Sequence, residues 1–84
     1  MQLLHFTAEW CGPCKMMKPM IEKVLEEHPE IEYIPVDIDA NKETAINYEI
    51  MGVPTFILIG DDNEQRVRFS GGMMKQQFID ALGI

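Results

Sequence analysis

The chain holds two cysteines, Cys11 and Cys14, two residues apart in the stretch TAEWCGPCKMMKP, residues 7 to 19. A pair so spaced can clip a metal, cross-link the chain or exchange disulfides. A structural zinc site takes about four ligands. Only two thiols are present, and His5 and His28 are poorly placed to join them, so no metal is expected. A purely structural bridge across so small a ring removes little entropy from the unfolded chain. Exchange chemistry fits better. If Cys11 opens a helix, positions i and i+3 sit about 5–6 Å apart on its first turn. That lies within the roughly 4.4–6.8 Å Cα separation a disulfide needs. The opening turn also offers unpaired N–H groups and the positive end of the helix dipole. Both favour a thiolate, which is the nucleophile. Pro13 suits a first turn that needs no amide donor there, and Lys15 adds positive charge. Cys11, beside the exposed Trp10–Gly12 corner, is expected to attack a substrate disulfide. Cys14, on the packed side, is expected to resolve the mixed disulfide.

The flanking sequence must place this pair. LLHFT (3–7) reads as a strand apolar on both sides of His5. From Cys11 to about Glu27 the period becomes helical: Met16, Met20, Val24 and Met17, Ile21, Leu25 form one apolar stripe, with a kink expected at Pro19. IEYIPV (31–36) is a second strand, and DANKETAINYEI carries the helix-start residues Asp39 and Asn41. TFILI (55–59) is a buried strand, GDDN a hairpin turn, and QRVRFS alternates like a strand with one wet face. Met74, Phe78 and Leu82 mark a last amphipathic helix. The order β-α-β-α-β-β-α predicts an α/β domain over residues 1–84. Its first two strands should be parallel and its last two antiparallel, in a four-stranded mixed sheet with helices on both faces.

Composition narrows the partners. The 84 residues are 46% hydrophobic, ordinary for a globular domain. A net charge of −7 argues against nucleic acid or an anionic membrane as partner. No stretch approaches the roughly 18 apolar residues of a membrane span. MQLLHFTAEW lacks the basic and apolar regions of a signal peptide. A cytoplasmic location and a monomeric state are expected. In that reducing compartment a C-x-x-C pair is redox-active or metal-bound more often than a permanent cross-link.

AEWCGPCKMMKP resembles the active-site segment of the thioredoxin family almost residue for residue. GVPTF (52–56) resembles that family's proline loop and FSGGM (69–73) its glycine turn, so the likeness spans essentially the whole chain. The resemblance implies a thioredoxin-like fold and a dithiol–disulfide oxidoreductase with no bound cofactor. Its substrates would be disulfide-containing proteins, and its electrons would come from an NADPH-linked reductase. It implies a cis Val53–Pro54 bond opposite the cysteines, with the Val53 backbone open to pair with an extended substrate segment. Trp10, Gly12, Pro13, Val53, Pro54 and Met73 would surround Cys11, and Gly71 and Gly72 would either admit the substrate or simply turn the chain.

The departures are informative. Typical thioredoxins carry a strand and helix before the strand that leads into the motif; this chain begins at that strand, as glutaredoxins do. IEYIPV is then expected at the sheet edge, where Pro35 is tolerated. The family's buried aspartate and neighbouring lysine correspond to His5 and Pro35 here. His5 is either a neutral, hydrogen-bonded core residue or a proton carrier for Cys14. Met16, Met17 and Met20 are expected to fill the core, with Met17 or Met73 offering adaptable substrate contact. Asp37 and Asp39 read as a helix cap and strand end. Two alternatives stand beside the reductase: a glutaredoxin-like, glutathione-dependent enzyme and a non-catalytic binding module.

Overall fold

The computed structural model describes residues Met1–Ile84 as β1 (Gln2–Thr7), α1 (Gly12–Leu25), β2 (Glu32–Asp37), α2 (Lys42–Asn47), β3 (Thr55–Ile59), β4 (Gln65–Ser70) and α3 (Lys75–Leu82). The sheet runs β2-β1-β3-β4. β1 lies parallel to β2, with His5 opposite Pro35, and antiparallel to β3, with His5 opposite Phe56. β3 and β4 form the antiparallel hairpin, irregular at Leu58/Ile59. This is the four-stranded mixed sheet that the element order implied, and β2 with its Pro35 occupies a sheet edge.

Side-chain alternation along the two central strands builds two cores. Leu3, Phe56 and Leu58 face Met17, Ile21 and Val24 of α1 and Phe78 and Leu82 of α3. Leu4, Phe6, Ile57 and Ile59 face the other way, towards Ile34, Val36, Ile38, Tyr48 and Ile50. Being covered on both faces, β3 is buried at all five positions, which explains its unbroken apolar run. Phe56 anchors the first core, 5.1 Å from Phe69 and edge-on to Phe78 at 5.4 Å between ring centroids.

The helix stripe differs from the expected one. α1 buries Cys14, Met17, Ile21, Val24 and Leu25, whereas Met16 is 82% exposed. Met16 is one residue from Met17, hence about 100° round the helix and off the packed face. It does not fill the core. α1 runs through Pro19 to Leu25. Pro19 and Lys15 are both exposed, so the carbonyl that Pro19 leaves without a donor lies on the watery side. Asn41 stands at the start of α2 without a side-chain cap. The capping work falls to Asp37, whose carboxylate accepts the N–H groups of Asp39 at 2.8 Å and Ala40 at 3.3 Å.

Phe56→Ala is expected to cost about 3–5 kcal/mol of unfolding free energy, and Met16→Ala less than about 0.5 kcal/mol. Urea denaturation followed by circular dichroism measures both; comparable losses would contradict the assigned faces of α1.

Candidate active site

Cys11 occupies the N-cap position of α1 with extended backbone, φ −90° and ψ 101°. Its sulfur does what a serine or aspartate oxygen usually does there: it accepts the Cys14 N–H, at 3.2 Å. Pro13 sits in the first turn, which contains no acidic residue. A disulfide joins Cys11 to Cys14 across a Cα separation of 5.3 Å. The site therefore places one sulfur where a backbone amide and the helix end both stabilise negative charge, with the second sulfur within bonding reach.

Three further segments converge on the pair. Ala8, the residue after β1, packs with both cysteines, and Ile38 and Val53 lean on the same cluster. Cys11 is the more exposed of the two, as its place beside the Trp10–Gly12 corner implied, but at 4% against 1% for Cys14 both are nearly covered. Ala8 and Val53 cover what the bare helix start would leave open. Trp10 and Gly12 do form an exposed corner. Trp10 is held there by its indole N–H, which donates to Asp39 Oδ2 at 2.9 Å. Val53–Pro54 is cis. Pro54 is buried and Val53 half-buried, and neither the N–H nor the C=O of Val53 makes a backbone hydrogen bond. Thr55 Oγ1 donates to the Gly52 carbonyl at 2.7 Å, and Gly71 N–H donates to the Pro54 carbonyl at 2.9 Å. Gly71 has φ +99°, a conformation that calls for glycine. A Cβ on Gly72 would stand 3.2 Å from the Pro13 Cβ, so Gly72 lets the β4–α3 turn approach the cysteine loop closely.

His5 lies behind Cys14. Both line a cavity of about 180 Å³, together with Thr7, Lys18, Tyr33 and Asp37. The His5 ring stacks on Phe56 at 4.5 Å, and its Nδ1 shares a 2.7 Å hydrogen bond with the Tyr33 hydroxyl. Nε2 is buried without a protein partner. Burial, reinforced by the Lys18 charge, lowers its pKa from 6.5 to about 4, so the ring is neutral at pH 7. Burial, with the Glu22 charge adding to it, raises Tyr33 to about 12, so the hydroxyl keeps its proton.

Two contributors escape a reading by motif. Tyr33 belongs to an edge strand, and its tie to His5 depends on the β1–β2 register. Arg68 of β4 donates to the carbonyls of Tyr48 at 2.6 Å and Glu49 at 2.8 Å, clasping the start of the segment that leads to Val53–Pro54. The alternation of QRVRFS marks Arg68 as polar; only the structure shows which backbone it holds.

A thioredoxin family model matches residues 1–83. The chain belongs to the thioredoxin family. It is 44% identical over 62 residues to the thioredoxin of Chlamydia pneumoniae, an alignment covering 74% of this chain and 61% of that one. It is 41% identical over 61 residues to a Staphylococcus aureus thioredoxin, covering 71% and 59%. The chain thus spans about three fifths of the curated thioredoxins it matches. The Fasciola hepatica thioredoxin structure superposes with a TM-score of 0.87 at 35% identity, covering 98% of this chain and 77% of that one. The oxidised mitochondrial thioredoxin 3 of Saccharomyces cerevisiae gives a TM-score of 0.84 at 29% identity, covering 99% and 77%.

The depressed pKa of His5 sets a sign. Between pH 6.5 and about 4 the unfolded chain holds a proton on His5 that the folded chain does not. Stability is therefore lost as pH falls through that window, by up to about 3 kcal/mol. Other groups titrate there too, so the difference from His5→Leu isolates this contribution. Urea unfolding at pH 7 and pH 4 should show wild type losing more stability than the variant; equal losses would refute a neutral buried His5.

Proposed function

We propose that this chain is a dithiol–disulfide oxidoreductase that reduces protein disulfides. The observation that carries this reading is the Cys11 sulfur at the α1 N-cap, receiving the Cys14 N–H at 3.2 Å and bonded to Cys14. In the reduced protein the Cys11 thiolate attacks one sulfur of a substrate disulfide. The substrate S–S bond breaks, and the departing thiolate takes up a proton. Cys14 then gives up its proton and attacks Cys11 Sγ, releasing the second substrate thiol. Two electrons pass to the substrate, and the protein is left with the Cys11–Cys14 bond. A partner reductase drawing on NADPH returns them. No metal or bound cofactor takes part.

The unpaired N–H and C=O of Val53 suit strand addition by an extended substrate segment. Trp10, Gly12, Pro13, Pro54, Gly71 and Gly72 frame the approach to Cys11. His5 is proposed as the transient acceptor of the Cys14 proton. What supports this is the cavity it shares with Cys14 and its unpartnered Nε2. Being neutral at rest, it can take a proton only while Cys14 is attacking. No helix is long and apolar enough to cross a membrane. The net charge of −7 disfavours nucleic acid and anionic membrane as partners, and the proposal takes the chain to act as a monomer in the cytoplasm.

Insulin-disulfide reduction is the test. Cys11→Ser is expected to abolish turnover, and Cys14→Ser to accumulate a mixed disulfide with substrate, seen by mass spectrometry. A variant with both cysteines replaced by serine that kept its biological activity would indicate a binding module. Turnover with glutathione and its reductase, and none with a thioredoxin reductase and NADPH, would reassign the electron donor. His5→Ala is expected to slow resolution of the mixed disulfide on the order of 100-fold at pH 7, the lower end of what a positioned proton acceptor contributes. Equal losses in rate and in folding would leave His5 a purely structural role.

A further inference from the structure

Five of the chain's seven methionines, Met16, Met17, Met20, Met73 and Met74, line one groove of about 560 Å³. Pro13, from between the two cysteines, forms part of its wall. Within this cluster the exposures diverge: Met16 is 82% and Met74 77% exposed, whereas Met17 is 4%. Met17 packs in the core; Met16 and Met74 do no comparable work for the fold. They are the outer thioethers of an apolar surface that includes Pro13, two residues from Cys11.

We propose that Met16 and Met74 are sulfoxidation sites through which hydroperoxides weaken the docking of protein substrates. The proposal rests on the reductase reading, with the groove taking an apolar side chain from the segment that flanks the substrate disulfide. A thioether lone pair attacks one oxygen of the hydroperoxide. An S–O bond forms, the O–O bond breaks, and the second oxygen leaves with a proton as water or alcohol. Sulfur loses two electrons and the peroxide gains them. The product is polar and accepts hydrogen bonds, so covering it with an apolar side chain leaves a desolvated S=O group unpaired. Flexible thioethers are suited to diverse apolar partners, and oxidation removes that property at the rim. The sulfurs that carry the exchange reaction are not altered. In the disulfide form they are already joined and nearly covered, at 4% and 1% exposure.

The experiment treats the disulfide form with hydrogen peroxide, maps sulfoxides by peptide mass spectrometry, then reduces the disulfide and measures insulin turnover. Met16 and Met74 are expected to oxidise well ahead of Met17. The insulin KM should rise about five- to tenfold with kcat little changed, the scale of leaving one polar group unpaired. Met51, 96% exposed, lines a separate pocket with Val53, Pro54 and Gly71, so it is replaced by leucine in every protein tested. In that background a protein also carrying Met16→Leu and Met74→Leu should keep its own KM through the same treatment. Oxidation of Met17 as fast as Met16, an unchanged KM with both sulfoxides formed, or an equal KM rise in the double variant would each overturn the proposal. Failure of the untreated protein to reduce insulin would overturn the reductase reading and the docking role with it. The order of oxidation, read by mass alone, would still decide which methionines are modified.

Discussion

A single N–H···S contact organises the rest: the Cys14 amide points at the Cys11 sulfur, 3.2 Å away, at the open end of α1. It exists only if the chain leaves β1, turns sharply and enters the helix at Gly12. The Cys11 N–H donated to the Ala8 carbonyl at 3.1 Å fixes that turn. The direction of α1 is set in turn by Met17, Ile21 and Val24, which pack on Leu3 and Phe56. The apolar stripe of the helix is thus what aims its N-terminus. A helix end supplies charge stabilisation without placing a cation in the site, and no carboxylate in the first turn opposes it.

His5 and Tyr33, which line the cavity behind Cys14 with Lys18 and Asp37, are themselves neutral at pH 7. A buried ion pair is costly to desolvate, and removing one member strands the other. His5 and Pro35 sit opposite each other in register and avoid that problem together. The imidazole is held by Tyr33 on one side and by the face of Phe56 on the other, in a setting that keeps it uncharged. Its unpartnered Nε2 is the one buried side-chain polar atom without a hydrogen bond. Such a group is costly to bury, and this one lies in the ring that lines the cavity shared with Cys14.

Local signals made much of this legible. The C-x-x-C spacing, the period change after Thr7 and the unbroken apolar run of TFILI each reflect short-range physics, and they located the helix start, the sheet and the buried strand. Where the reading failed, longer-range packing decided. Met16 shares its apolar character with Met17, and one helical step separates core from solvent. The motif placed Cys11 beside an exposed corner, but the cover that Ala8 and Val53 give it comes from elsewhere in the chain and has no local signal. Arg68 could be read as polar but not as a clasp on Tyr48 and Glu49, because that partnership depends on β4 lying beside β3 with Arg68 opposite Ile57. Tyr33 was hidden for the same reason.

A helix end that stabilises the thiolate would make the Cys11 sulfur a ready nucleophile. The rate of iodoacetamide alkylation of the reduced protein at pH 7, resolved by residue and compared with N-acetylcysteine, measures this directly. Cys11 is expected to react several-fold faster than the free thiol and Cys14 far more slowly. A Cys11 no more reactive than N-acetylcysteine would contradict that stabilisation.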